Sequence, residues 1–137
     1  MRRRPDEETL QSLVEMAVAV RKRAHAPYSN YLVGAALLTT KGSVHVGCNV
    51  ENASYGATIC AERAAVTAMV ASGERHPIVC ALVTGGAEPV APCGICRQVL
   101  VEFAPDLLLV LVAVRGKQRV RRETTLGALL PEAFRLL

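Results

Sequence analysis

An α/β fold, a mixed sheet covered by helices, is what the order of segments in this chain predicts. Three observations carry that expectation. Apolar residues recur at helical spacing in some segments and fill short bounded strands in others, and together they read α-β-β-α-β-α-β-β-α. The first two strands are joined only by a turn at Lys41-Gly42, which makes them an antiparallel hairpin. Finally, 51% of the 137 residues are hydrophobic, enough for one substantial core but not two, so residues 1–137 are read as one domain. So high an apolar fraction in a short chain also points to further burial between subunits.

Pro5-Asp6-Glu7-Glu8-Thr9 opens the first helix, its acidic residues set against the positive end of the helix dipole. Leu10, Leu13, Val14, Ala17 and Val20 follow at helical spacing, Arg21-Lys22-Arg23 closes the last turn, and Pro27 ends the element. Ala26 to Asn30 is a loop by composition. Tyr31 to Thr39 reads as a mostly apolar strand and Val44 to Cys48 as its hairpin partner. The polar stretch Asn49 to Gly56 follows at a strand end, where binding residues often sit. Thr58 is placed to cap an alanine-rich helix from about Ile59 to Ser72, which Gly73 ends.

Pro77 precedes a strand from Ile78 to Thr84, broken by Gly85-Gly86. Pro89 and Pro92 hold a loop that delivers Cys93 to a helix of roughly Gly94 to Phe103, stopped by Pro105. A strand from Leu107 to Val114 turns through Arg115 to Gln118 into a polar edge strand ending near Arg122. Thr124 or Thr125 caps a short last helix before Pro131.

Several function classes are disfavoured. The longest unbroken apolar run, Leu107 to Val114, has eight residues, far short of a membrane span. No apolar stretch follows Met1-Arg2-Arg3-Arg4, so no secretory signal is expected. Five cysteines, two of them in a C-x-x-C, favour reduced thiols in a cytoplasmic protein over a disulfide framework. The net charge of +4 raises nucleic acid as a partner, but the basic residues fall in separate clusters at Arg2–Arg4, Arg21–Arg23 and Arg115–Arg122. Almost no aromatic side chain lies among them to stack bases, so they are read as solvated faces and helix ends.

The chemistry concentrates in Cys60-Ala61-Glu62-Arg63 and Pro92-Cys93-Gly94-Ile95-Cys96-Arg97. Three cysteines with a carboxylate two residues past the first suit a tetrahedral Zn²⁺ with one position left for solvent, the arrangement of a catalytic rather than a structural site. A first ligand, x, Glu, then Pro-Cys-x-x-Cys is a known signature of zinc nucleobase deaminases. Cys60 and Cys93 fall at expected helix N-termini, where the dipole favours the thiolate a metal needs. Glu62 is the candidate proton carrier. Three thiolates on Zn²⁺ leave a net negative charge, and Arg63 is placed to offset it by donating to them. The competing arrangement is a closed four-cysteine site that recruits Cys48 or Cys80. Both stand at apolar strand positions, where a lone cysteine behaves as a small hydrophobe, and there is no second C-x-x-C. His25, His45 and His76 have no ligand spacing and are read as non-functional.

Four blocks taken in order, Tyr28–Leu37, Gly47–Ala53, Cys60–Arg63 and Pro92–Leu100, resemble the small homotetrameric cytidine deaminases. Leu129–Phe134 is similar to their C-terminal segment, so the likeness runs from about Leu10 to Phe134. The resemblance implies a three-layer α-β-α fold with a mixed five-stranded sheet. It implies zinc on Cys60, Cys93 and Cys96, with Glu62 as proton shuttle in the deamination of cytidine and 2′-deoxycytidine during pyrimidine salvage. It further implies that Asn49 and Glu51 bind the ribose hydroxyls, that the Ala61 backbone meets the pyrimidine, and that Tyr31 contacts the nucleoside in place of the usual phenylalanine. Ala53, Tyr55 and Phe134 match positions that complete a neighbouring subunit's pocket. Ala91 and Ile95 depart from the common pattern, and no longer C-terminal tail follows Phe134. A deaminase of modified cytosine nucleosides, of the blasticidin S type, is the rival reading; the Asn49-x-Glu51 pair argues against it.

Overall fold

The computed structural model describes residues 4–137, so all but Arg4 of the N-terminal basic run lies outside the described residues. Five strands form one mixed sheet: β1 (Val33–Thr39), β2 (Val44–Cys48), β3 (Pro77–Gly85), β4 (Leu108–Arg115) and β5 (Gln118–Thr125). Their order is β2-β1-β3-β4-β5. The β1–β2 hairpin is antiparallel, as its short turn requires, and β1 also runs antiparallel to β3. Only β3 and β4 are parallel, and the connection between them is long enough to hold a helix.

Strand alternation divides the core in two. On one face, α1 (Glu7–Arg21) lays Leu10, Leu13, Val14 and Ala17 against Ala36, Val79, Ala81 and Val110. On the other, α2 (Ala61–Ala71) and α3 (Gly94–Val101) pack Ala65, Met69 and Leu100 against Ala35, Leu37, Cys80 and Leu109. Neighbouring β1 residues thus serve opposite layers, which gives the expected three-layer α-β-α arrangement. Each large side chain so buried contributes about 1.5–3 kcal/mol relative to exposure. A short α4 (Leu126–Leu129) closes the chain, and Thr125 caps it by accepting from Ala128 N at 3.3 Å.

Several boundaries differ from expectation, three of them for a clear local reason. Tyr31 and Leu32 precede β1, because side chains rather than a neighbouring strand hold their backbone. Thr58 does not cap α2. Val50 and Ile59 exchange two backbone hydrogen bonds of 2.9 Å, which holds the chain extended past Thr58 and makes Cys60 the N-cap. The strand β5 continues to Thr125, paired with Leu108. Alternate β5 cations turn to α1, where Arg119 pairs with Glu15 at 2.5 Å and Arg121 pairs with Glu7.

The fold presses α2 directly onto β2. A Cβ on Gly47 would lie 2.4 Å from Ala61 O and 2.5 Å from Ala65 N, so only glycine admits the helix there. That contact fixes the N-terminus of α2 beside the carboxyl end of β3. Among the described residues, no helix is long and apolar enough to cross a membrane.

Candidate active site

Two helix N-termini converge. Cys60 caps α2, Cys93 caps α3, and Cys96 lies in the first turn of α3. The Sγ atoms of Cys60 and Cys93 stand 3.9 Å apart, and all three sulfurs lie within 4.8 Å of one another. A tetrahedral Zn²⁺ with Zn–S bonds of about 2.3 Å requires sulfurs roughly 3.8 Å apart, so the three thiols fit that ion. Among the described residues, no fourth ligand joins the group. Cys48 is half-buried in β2. Cys80 is fully buried within β3, where loss of hydration pushes its thiol up, followed by the charge of Glu62, and it stays protonated.

The metal-free thiols already differ in acidity. Cys60 is held well below the usual thiol range by a hydrogen bond from Cys96 and then by Arg63, while Cys96, donating to Cys60 and buried, is pushed up. Arg63 Nη2 donates to Thr58 O at 2.9 Å and reaches Cys60 Sγ at 4.0 Å. Arg63 Nε is buried with no partner, a free donor beside the sulfurs. Arg63 thus stands against the Cys60 sulfur and is also tied to the backbone that leads into Cys60.

Glu62, on the first turn of α2, is 4% exposed. Burial pushes its carboxyl up to about 7, and the charge on Cys60 adds to the rise. A carboxyl that changes protonation near neutrality beside a metal site is suited to accepting and returning a proton.

Cys60 and Cys93 open onto a cavity of about 210 Å³. Cys60, Cys93, Glu62, Tyr31 and Asn49 line it together with the apolar Val33, Leu82, Val90 and Ala91. Ala61 also borders it, and the first amides of α2 have no partner within the helix. A second cavity of about 290 Å³ adjoins at Thr58 and is lined by Tyr28, Ser29, Glu51 and Tyr55. A larger groove of about 510 Å³, between α1 and the hairpin at Asp6, Met16 and Val44, lies on the other face of the sheet and brings no ligand cluster together.

Asn49 and Glu51 are committed first to the chain itself. Asn49 Oδ1 accepts from Val33 N and Nδ2 donates to Tyr31 O, both at 2.8 Å. Glu51 accepts from the amides of Tyr28 (3.0 Å) and Ser29 (3.2 Å) and from the Ser29 hydroxyl. The Ser29 bond, helped by the two amides, holds its carboxyl below the usual range against the opposing effect of burial. An amide has four hydrogen-bonding positions and a carboxylate about four, so each residue keeps capacity facing its cavity.

Tyr31, Asn49, Ala61 and Glu62 thus meet in one cavity with the thiols, and Glu51 and Tyr55 meet in the next. Ala53 and Phe134 are exposed and border neither cavity within this chain. Sequence reasoning missed Thr58, which borders both cavities, and Thr84, whose buried hydroxyl has no partner. Neither carries a motif that marks it; Thr84 is simply the last threonine of an apolar strand.

Comparison with known proteins agrees with this geometry. The cytidine and deoxycytidylate deaminase zinc-binding region matches residues 7–112. A cytidine deaminase of Halalkalibacterium halodurans is 45% identical over 125 residues, 90% of this chain and 92% of that protein. The crystal structure of the Burkholderia pseudomallei cytidine deaminase superposes with a TM-score of 0.85 at 49% identity, covering 90% of this chain and 98% of the other. That of Mycobacterium tuberculosis gives 0.78 at 41%, covering 93% and 98%.

Proposed function

The chain belongs to the cytidine and deoxycytidylate deaminase family, and from that premise we propose that it deaminates cytidine and 2′-deoxycytidine to uridine and 2′-deoxyuridine. One water is consumed and one ammonia released per turnover. The observation that carries this reading is a cluster of three thiols, two of which line one cavity together with the buried carboxyl of Glu62. Relatives named simply as cytidine deaminases, together with Asn49 and Glu51, favour this substrate over a modified cytosine nucleoside.

Cys60, Cys93 and Cys96 would hold the zinc. Bound there, zinc supplies Lewis acidity, the means of raising a nucleophile from water near neutral pH. Glu62 takes the proton that this water gives up and delivers it to the ring nitrogen N3. It then carries the second proton of that water to the amino group as C4 gains its carbonyl and the C4–N bond breaks, releasing ammonia. Arg63 offsets the excess negative charge of three thiolates. The free amide of Ala61 donates to the pyrimidine carbonyl, and the apolar walls with Tyr31 exclude bulk water around the ring. Asn49 and Glu51 use their remaining capacity on the ribose hydroxyls.

The assembly is a homotetramer with pockets shared between copies, acting on free nucleosides in pyrimidine salvage in the cytoplasm, without nucleic acid. Supporting this, Tyr55 is 76% and Phe134 68% exposed, and Val50, Ile59 and Ile95 are also exposed apolar residues. Apolar surface of this kind calls for a partner. Ala53, Tyr55 and Phe134 would then meet the neighbour's substrate. Chromatography of cytidine incubated with zinc-loaded protein tests the activity through uridine and equimolar ammonia; no product would refute it. Light scattering tests the assembly, with four chains expected and a stable monomer contradicting it.

A further inference from the structure

We propose that Arg21, a residue outside the cavity, positions the substrate-facing segment Tyr31–Val33 by passing its guanidinium through a slot that Gly85 leaves open; this rests on reading that segment as a wall of the nucleoside site. The last turn of α1 crosses β1 in backbone contact. A Cβ on Gly34 would lie 2.1 Å from Ala17 O and 2.8 Å from Arg21 Cβ. Arg21 therefore leaves its helix beside the start of the strand, and its Nε donates to Leu32 O at 2.8 Å. Its Nη2 lies 2.6 Å from where a Cβ on Gly85 would stand, over the carboxyl end of β3.

Arg21 is half-buried, and none of the ion pairs among the described residues includes it. Its Nε is instead engaged on backbone. The Leu32 carbonyl sits between the two groups that Asn49 holds, Tyr31 O and Val33 N. Three successive residues of the wall are thus fastened from two sides, by the end of β2 and the end of α1. Removing the second fastening leaves the wall to pivot about Asn49. Lysine offers no equivalent, because its only donor lies at the tip of the chain and not at the δ-carbon's neighbour.

Gly85 supplies a clean test. Its φ is not in the left-handed region, so alanine is compatible with its backbone. The only atoms an added methyl would meet belong to the movable guanidinium of Arg21. Gly85→Ala therefore displaces Arg21 while leaving the sheet intact.

The experiment compares wild type, Gly85→Ala, Arg21→Met (which keeps the aliphatic stem) and the double variant, all zinc-loaded. Each single variant should raise KM for cytidine about tenfold, the order expected for one lost charge-assisted hydrogen bond. Turnover and zinc content should stay within about twofold, as for a loss of binding rather than of chemistry. The double variant should be no worse than either single one, because both remove the same bond. Amide hydrogen exchange in the peptide covering residues 28–33 should quicken in every variant. Additive KM effects, or a wild-type KM in Arg21→Met whatever its Tm, would overturn the proposal. Should wild type fail to turn over cytidine, the proposed activity falls, and exchange alone decides the role of Arg21: unchanged exchange rejects it.

Discussion

Cys60 Sγ and Cys93 Sγ stand 3.9 Å apart, and each belongs to the residue that caps a different helix. Neither thiol accepts a capping hydrogen bond from its own helix, so both are left free to turn toward each other. The proposed metal site is therefore the joint between α2 and α3, and the first turn of α2 carries Glu62 to the same place.

Loss of a ligand should empty the site without unfolding the chain. Both core clusters are built from apolar side chains that owe nothing to a metal. Cys60→Ser or Cys93→Ser should lower zinc from about one ion per chain to a small fraction and reduce turnover by at least about 10³-fold, since the nucleophile depends on the ion. Far-UV circular dichroism should stay folded, while chelation lowers Tm as expected when a ligand of the native state is withdrawn. Metal analysis and calorimetry check both; full activity without zinc would contradict the account.

Glu62 should matter to chemistry and not to metal binding. Glu62→Gln keeps the shape of a 4% exposed side chain but cannot carry the proton. Turnover should fall by about 10²–10⁴-fold, the usual scale of acid–base help. Zinc content should match wild type. A fall in zinc parallel to the fall in turnover would recast Glu62 as a structural support.

Asn49 should couple stability to substrate affinity. Its amide satisfies Val33 N and Tyr31 O, so Asn49→Ala leaves two backbone groups without their partners. With each such loss costing about 1–3 kcal/mol, stability should drop by about 2–6 kcal/mol and KM should rise while zinc is retained. Denaturant titration alongside steady-state kinetics reads both. A change in only one of them would separate roles that the geometry unites.

The acid limb of stability should depend on Glu74. Its carboxylate accepts from Thr39 Oγ1 at 2.6 Å and pairs with His45 Nε2 at 2.9 Å. These partners, Thr39 first, hold the carboxyl down to about 2 from an ordinary 4.5. A group lowered in the folded state binds fewer protons there than in the unfolded chain between those two values. Its contribution is therefore complete above the unfolded value and fades as pH falls toward 2. The Tm gap between wild type and Glu74→Gln should be widest above pH 5 and close near pH 2; a constant gap would exclude the linkage.

Much of this was legible in the sequence, because it rested on periodicity and spacing. Leu10, Leu13, Val14 and Ala17 announced the buried face of α1, and Cys93 and Cys96 announced a cluster of sulfurs able to hold a metal. What escaped was set by contacts distant along the chain. Thr58 looked like a cap by composition, but the Val50–Ile59 pairing claimed that stretch as extended chain. Arg21 looked like a solvated helix end, because nothing local reveals that Gly34 and Gly85, on two other elements, make room for it. Asn49 and Glu51 stood out as polar residues at a strand end, yet their grip on the Tyr28–Val33 loop needed the fold to be seen.

The central claim is one zinc held by three sulfurs with a corner left for solvent. X-ray absorption at the zinc edge of the loaded protein tests it most directly, because sulfur and oxygen scatter differently and their distances differ. Three sulfurs at about 2.3 Å with one oxygen near 2.0 Å is the predicted result. Four sulfurs, or a nitrogen from a histidine in the fourth position, would contradict it and make the site structural.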